Sequence, residues 1–197
     1  MSSTLNLRSL IEENKGYLFT SDVISAGISK KTLATFIQEN KLEKVAHGIY
    51  ITEDTWLDEL FVLSKRNENI VFSHETALYL HGLMEREPTF VTVTVKFGYN
   101  ASHLTRKGIK VVTAIADFYE VGIGDATTKH NHIVRTYDME RTICDMVRYK
   151  EKMDPQVFRT AMREYMTNRK KRLPILMSYA STFGIANRIR TYTEVLL

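Results

Sequence analysis

The sequence predicts a mixed α/β protein of the α+β type, built from two domains with different patterns. Short helical segments and one hairpin pattern fill the first 54 residues. The remainder shows several strand-like segments and then, from Asp138 onward, an almost continuous helical pattern. We therefore expect one domain over residues 1–54 and a second over residues 55–197, the second with a small sheet and a helical layer.

Three helices are predicted in the first domain, at Leu5–Asn14, Thr20–Ala26 and Lys30–Glu39. Gly27 follows the second helix at the position where a left-handed residue commonly ends a helix. Ser29 precedes the third helix and suits an N-cap, because its hydroxyl can accept a bond from a free backbone N–H group. Apolar residues recur with helical spacing in the third helix, which therefore has one buried face.

A hairpin follows the third helix, with strands at Leu42–Val45 and Gly48–Ile51 joined through Ala46 and His47. Two helices around a glycine turn, followed by a hairpin, are the parts of a winged helix-turn-helix. In that arrangement the second of the two helices enters the DNA major groove, and we expect the hairpin to lie along the DNA backbone. The sequence therefore predicts a winged helix-turn-helix DNA-binding domain over residues 1–54.

In the second domain, strands are predicted at Ile70–Phe72, Thr89–Phe97, Ile109–Ala114 and Ile133–Thr136. Valine and threonine alternate along Thr89–Phe97, which predicts a strand with one buried and one exposed face. Helices from Asp138 to the end would cover the sheet as a layer.

The predicted DNA contacts come from the third helix, the loop after it and the hairpin tip. Lys31 or Gln38 suits base edges, whereas the hydroxyl side chains of Ser29, Thr32 and Thr35 suit phosphates. The alternative is that these residues form an ordinary solvated helix face, but the hairpin that follows favours DNA. The predicted set is Ser29, Lys30, Lys31, Thr32, Thr35, Gln38, Lys41, Lys44 and His47.

A second candidate basic surface lies in the C-terminal part of the chain. The net charge is +4, and the surplus of Lys and Arg over Asp and Glu is located in this part. A helix is predicted over Pro155–Arg172, with Arg159, Arg163 and Lys170 in a stripe beside its apolar face and the basic run Arg169–Arg172 at its end. These cations either contact a nucleic acid or an acidic protein, or only solvate the helix and balance its dipole, and the sequence leaves both readings open. They are Arg159, Arg163, Arg169, Lys170, Lys171 and Arg172.

No group of residues predicts catalysis, a metal site or a cofactor. Cys144 is the single cysteine, which excludes an intramolecular disulfide and fits a reducing cytoplasm. His130 and His132 alternate as in a strand, but no spacing matches a zinc site. Gly122-Ile123-Gly124 lacks the surroundings of a phosphate loop and predicts a turn. We therefore expect a cytoplasmic protein that is not an enzyme, needs no cofactor and does not enter a membrane.

Four short motifs occur in order along the chain: LEKVAHGIY (Leu42–Tyr50), SHETALYLHGL (Ser73–Leu83), TFVTVTV (Thr89–Val95) and YDMERTICD (Tyr137–Asp145). In this order they resemble the AbiEi antitoxin family, the antitoxins of type IV toxin–antitoxin systems that act in abortive infection, a form of phage defence. Family members usually carry a basic residue before the hairpin glycine, where this chain has His47.

The resemblance implies a transcriptional repressor that regulates its own operon by binding inverted repeats of double-stranded DNA in the promoter through the N-terminal domain. It also implies that the C-terminal domain counteracts a cognate nucleotidyltransferase-like toxin without a stable complex. No heptad seam is evident, so we expect a monomer in solution. Two alternatives stay open: a stand-alone repressor whose C-terminal domain responds to a ligand, and a nuclease-like enzyme with a DNA-targeting module.

Overall fold

The computed structural model describes residues 3–196, so Met1, Ser2 and Leu197, which the predicted domains include, lie outside the described residues. The chain is a mixed α/β protein with an N-terminal winged arrangement and a C-terminal sheet with helices, which confirms the predicted fold class. Its contacts divide it into two compact units, one ending at Leu63 and the other beginning at Ser64. This division falls later in the chain than the boundary predicted between residues 54 and 55.

The segment after residue 54 is tied into the first unit by Tyr17. The Tyr17 hydroxyl donates to the carbonyl of Trp56 at 3.2 Å and accepts from the backbone N–H of Asp58 at 2.7 Å. The ring of Phe61 packs edge-on against Tyr17 and Phe19, with centroid distances of 5.1 and 5.8 Å. The residues that follow the hairpin are therefore part of the first unit's packing.

The first unit contains three helices and a three-stranded antiparallel sheet in the order β1-β3-β2. Strand β1 was not predicted, because it is defined by its pairing with β3 and not by a local pattern. The core of the unit is formed by Leu7, Leu18, Val23, Leu33 and Phe36. Its elements are α1 (Ser3–Glu13), β1 (Tyr17–Phe19), α2 (Thr20–Ser25), α3 (Lys30–Glu39), β2 (Glu43–Ala46) and β3 (Ile49–Ile51).

The second unit is built on a five-stranded mixed sheet in the order β6-β5-β4-β8-β7. Strand β4 is antiparallel to β5 and parallel to β8, β5 is parallel to β6, and β7 is antiparallel to β8. Helix α4 (Glu59–Arg66) contains the point of division between the units. After it come β4 (Val71–Phe72), α5 (His74–Leu80), β5 (Thr92–Lys96), α6 (Ser102–Thr105), β6 (Lys110–Ala114), α7 (Ala116–Tyr119), β7 (Ile123–Thr127), β8 (Ile133–Tyr137), α8 (Met139–Arg148), a 3₁₀ turn (Lys150–Lys152), α9 (Pro155–Thr167), α10 (Leu173–Thr182) and α11 (Ala186–Leu196).

Strand β5 is buried on both faces, so the prediction of one exposed face was wrong. Thr92 and Thr94 are nearly as buried as Val93 and Val95, with which they alternate. Thr94 donates its hydroxyl hydrogen to the Oγ of Ser73 at 2.9 Å, and the backbone N–H of Thr92 donates to the Oγ1 of Thr76 at 2.8 Å. The buried hydroxyl of Thr94 is thus satisfied by the start of α5, whereas the buried hydroxyl of Thr92 has no hydrogen-bond partner within the described residues.

Two further predictions in the second unit need correction. Gly124 lies inside the edge strand β7 rather than in a turn. Helix α9 ends at Thr167 rather than at Arg172. The side-chain oxygen of Asn168 accepts the backbone N–H of Lys170 at 2.8 Å, which turns the chain out of the helix. Within residues 3–196, none of the helices has the length and apolar content needed to span a bilayer.

Candidate nucleic-acid interface

Helix α3 presents a polar face opposite the side that anchors it. Leu33 and Phe36 lie in the core of the first unit. Lys31, Thr35 and Gln38 are exposed on the other side of the same helix. A helix held by its apolar side, with cationic and amide side chains on its free side, suits insertion into a major groove, where such groups contact phosphates and base edges.

The start of α3 is capped as predicted. The Oγ of Ser29 accepts the backbone N–H of Thr32 at 3.1 Å, and the two hydroxyl oxygens lie 2.9 Å apart. These hydroxyls are therefore already engaged in the cap, which leaves Lys30 and Lys31 as the exposed cations of the first turn. The positive end of the helix dipole at this point favours a nearby phosphate.

The remaining predicted contacts follow α3 in the same unit. Lys41 is exposed and has a left-handed backbone with φ of 50°, just where the chain leaves the helix. Lys44 is exposed in β2, and His47 is exposed at the hairpin tip. The two-residue turn is His47-Gly48 rather than Ala46-His47, because β2 extends through Ala46. Of the nine predicted residues, eight are exposed and Thr32 is half-buried.

The predicted stripe of Arg159, Arg163 and Lys170 does not lie on one helix, because α9 ends before Lys170. Arg159 and Arg163 are exposed on α9, where the Nη2 of Arg163 lies 3.2 Å from a carboxylate oxygen of Glu164. Arg169 and Lys170 are exposed in the connection that follows the helix, and Lys171 beside them is half-buried. Because α9 ends at Thr167, the conformation of the loop, and not the helix, sets the directions of these three side chains.

Arg172 has a structural role that the sequence did not suggest. Its backbone N–H, Nε and Nη2 donate to the two carboxylate oxygens of Glu140 at 2.8, 3.1 and 2.5 Å, and Nη2 also lies 2.9 Å from Asp138. The Tyr165 hydroxyl donates to the same buried Glu140 carboxylate at 3.2 Å. Burial, together with the Glu140 charge, raises the pKa of Tyr165 and keeps its hydroxyl protonated. Arg172 therefore fixes the start of α10 to α8.

A second buried polar network lies on the same helix and was also not predicted. The Nε of Arg141 donates to Asp145 at 2.9 Å, and the Nη1 of Arg148 donates to the other oxygen of that carboxylate at 3.1 Å. The Nη1 of Arg141 also donates to the carbonyls of Phe118 and Val121. The signal in the sequence was the i, i+4, i+7 spacing of Arg141, Asp145 and Arg148, which places these three charges on one side of the helix.

His74 begins α5 beside this network and should make the protein less stable in mild acid. Burial lowers its pKa; Asp145 and Glu75 act in the opposite direction, and Arg141 and Arg148 act with burial. In the folded state His74 therefore binds its proton only at a lower pH than in the unfolded chain, where the imidazole is protonated below about pH 6.5. The free energy of unfolding should fall by up to about 1.4 kcal/mol per pH unit below that point because of this group.

The variant His74→Asn tests this expectation, because asparagine tolerates the left-handed backbone (φ 50°) observed at this position. Urea unfolding measured between pH 7 and pH 5 should show a shallower loss of stability in the variant than in the unmodified protein. Equal pH slopes in the two proteins would show that His74 does not titrate as described.

The side chains of Cys144 and His81 have packing and hydrogen-bonding roles in the second unit. Burial raises the pKa of the Cys144 thiol to about 12, so that it stays protonated at neutral pH. The Nε2 of His81 lies 2.7 Å from the carbonyl oxygen of Tyr137. Across residues 3–196, no group of three or more His, Cys, Asp or Glu is placed to hold a metal ion.

The first unit has the element order and exposed third helix of the winged helix-turn-helix class. Residues 7–52 match a family model described as "Transcriptional regulator, AbiEi antitoxin", which confirms the resemblance noted in the sequence. Within the matched segment lies the motif Leu42–Tyr50, whereas the other three motifs lie beyond it. No curated protein matches the chain.

Proposed function

We propose that this protein is an antitoxin that represses its own operon, acting as a DNA-binding protein and not as an enzyme. The first unit binds inverted repeats in the promoter through α3 and the hairpin. The observation that carries the proposal is the exposed face of Lys31, Thr35 and Gln38 on a core-anchored helix, within the segment that matches an antitoxin regulator. The set of nine residues from Ser29 to His47 forms the proposed contact surface.

The second unit has the antitoxin activity in this proposal. It counteracts a nucleotidyltransferase-like toxin without a stable complex, in a type IV system of phage defence, and the protein is a cytoplasmic monomer before it binds DNA. The support for this half is the resemblance of the motifs Ser73–Leu83 and Tyr137–Asp145, which meet in the second unit where α5 packs against α8. The competing function is a repressor that responds to a ligand but has no toxin.

The variant Lys31→Ala should separate the two activities. Loss of one phosphate contact should weaken binding to promoter DNA and reduce the slope of log affinity against log salt by about one unit. If Lys31 instead reads a base, sequence preference should relax, at about 1–3 kcal/mol for a good bidentate contact. Growth rescue against a co-expressed nucleotidyltransferase-like toxin encoded beside the gene should be unchanged, because the second unit is intact.

The matched control is Lys107→Ala, which removes an exposed cation from the second unit. It should leave promoter affinity and salt slope as they are. Unchanged DNA binding in Lys31→Ala would show that α3 does not dock as proposed. Absence of growth rescue by the unmodified protein would instead support the ligand-responsive repressor.

The exposed cations of α9 and its connection form a second proposed contact surface for an anionic partner. Replacing Arg159, Arg163 and Lys170 together with alanine should change stability by little, since exposed charges usually contribute less than about 0.5 kcal/mol each. The variant should lose either promoter affinity at moderate salt or growth rescue. Melting, promoter binding and rescue measured on one preparation decide the matter, and three unchanged values would mark these residues as solvated surface.

A further inference from the structure

A cleft of about 240 Å³ lies in the second unit, where the start of α5 and the end of α8 meet strand β6. Two of the motifs that the sequence analysis singled out converge on it. His74 comes from the motif Ser73–Leu83, whereas Arg141 and Asp145 come from Tyr137–Asp145. Neither promoter binding by the first unit nor the exposed cations of α9 involves this cleft, so it requires an explanation of its own.

The charged groups of the cleft leave a surplus of one positive charge. The Asp145 carboxylate is shared between Arg141 at 2.9 Å and Arg148 at 3.1 Å. Arg141 is fully buried and also donates to two backbone carbonyls, so its position is fixed. Arg148 is partly open to solvent, and its only hydrogen bond or ion pair within residues 3–196 is the one to Asp145. A guanidinium has five N–H donors, so most donors of Arg148 are available to a ligand.

The Arg148 guanidinium is also held in place by aromatic rings. It lies 5.5 Å from the ring centroid of Phe118 and 5.0 Å from that of Phe183. Packing against rings and the bond to Asp145 restrict the rotamers of this side chain before any ligand arrives. A cation ordered in advance loses less conformational entropy on binding than a free surface arginine.

His74 supplies a second available donor. Thr94 donates its hydroxyl hydrogen to the Ser73 oxygen at 2.9 Å, and that oxygen lies 3.1 Å from the Nδ1 of His74. We assign the Ser73 hydroxyl hydrogen to Nδ1, and this assignment places the ring hydrogen of the neutral imidazole on Nε2. This buried Nε2 has no hydrogen-bond partner within the described residues.

The backbone of His74 supports a functional reading. A histidine at φ of 50° is strained, and such strain costs on the order of 1–3 kcal/mol. Its ring packs edge-on against Tyr149 at a centroid distance of 4.8 Å, which fixes the ring beside the cleft. Strain and an unpaired buried donor at the same residue are both unfavourable for folding alone, and a ligand that accepts a bond from Nε2 would account for the donor.

We propose that this cleft binds a small organic anion, whose carboxylate or phosphate group accepts hydrogen bonds from Arg148 and His74. An oxyanion fits because the available groups are donors, because the net charge of the lining is positive, and because Arg matches such groups with its planar fork. The rest of the ligand is apolar and compact, since Val112, Ile115 and Phe118 also line the cleft and its volume limits the size.

Isothermal titration calorimetry on the full chain tests the proposal with three probes of similar shape: phenyl phosphate, benzoate and the neutral phenol. Saturable binding of phenyl phosphate, benzoate or both is expected, and the preference between them identifies the anionic group. The variants Arg148→Met and His74→Asn should each reduce the affinity for the anion roughly tenfold or more, since each removes a hydrogen bond to a charged group. Arg148→Lys keeps the charge without the fork and should lose part of the affinity.

The control variant is Arg190→Met, which removes an exposed arginine of the same unit that lies outside the cleft and outside both proposed contact surfaces, and whose Nη1 donates to the side chain of Asn187. It should bind the anion as the unmodified protein does. Three results would each overturn the proposal: neither anion binds, phenol binds as well as the anions, or Arg148→Met and His74→Asn bind the anion no more weakly than Arg190→Met does. Dispersed amide spectra of the variants establish that they are folded, and His74→Asn and Arg148→Lys decide the matter if Arg148→Met fails to fold.

Discussion

Replacing Arg141 with methionine should destabilise the second unit by about 3–5 kcal/mol, the cost typical of breaking a buried ion pair from one side. Arg141 is among the largest side chains that are fully buried, and its guanidinium lies 4.1 Å from the ring centroid of Tyr137. Methionine fills much of the volume but leaves the carbonyls of Phe118 and Val121 without this donor. Urea unfolding followed by circular dichroism, with hydrogen exchange in α8, would measure the loss.

Arg148→Met is the matched comparison for Arg141→Met, because both arginines bind the same carboxylate of Asp145. Arg148 is partly open to solvent, and its loss leaves Asp145 paired with Arg141. Its removal should therefore cost only about 1 kcal/mol. If the two variants were destabilised equally, the buried donors of Arg141 to the backbone would contribute nothing beyond the ion pair.

The contrast between the two units shows which features a sequence can predict. Helix α3 was predicted with its observed bounds, Lys30–Glu39, because a capping serine and a regular apolar spacing are local signals. Helix α8 was also expected, but its burial was not. Every residue from Glu140 to Val147 is buried, because α5 and α10 pack around α8. The sequence pattern, which shows one apolar face, therefore underestimates how much of this helix is buried.

The elements that were missed share a physical cause. Strand β7 runs through a segment rich in glycine and threonine, and it is held by antiparallel pairing to β8, from Ile123↔Tyr137 to Thr127↔Ile133. Such pairing between segments is invisible to a local pattern. The bonds of Arg172 to Glu140 and of Arg141 to the carbonyl of Phe118 likewise join residues distant in sequence. An arginine side chain is expected to be exposed to solvent, and only tertiary contacts show that it is buried or paired.

Gly16→Ala should have a comparable effect on the first unit, where it tests the packing that supports the DNA-binding helix. Gly16 has φ of 93°, and a Cβ atom placed there would lie 1.8 Å from the Oγ1 and 2.9 Å from the Cβ of Thr55. The Thr55 hydroxyl is itself bonded to that of Thr52 at 2.7 Å, so it does not move without losing this contact. Backbone strain of about 1–2 kcal/mol and overpacking of about 1–3 kcal/mol should together cost about 3 kcal/mol.

Gly27→Ala isolates the backbone part of this cost. Gly27 has φ of 75°, but a Cβ atom there meets nothing within 4 Å, so only strain of about 1 kcal/mol is expected. Hydrogen exchange of the first unit should therefore show a much larger loss of protection in Gly16→Ala than in Gly27→Ala. Promoter binding by Gly16→Ala should fall with the folded fraction, although none of the proposed contact residues is changed. Equal losses in the two variants would mean that Thr55 yields easily, and that the segment after the hairpin is not held as tightly as its contacts with Gly16 and Tyr17 indicate.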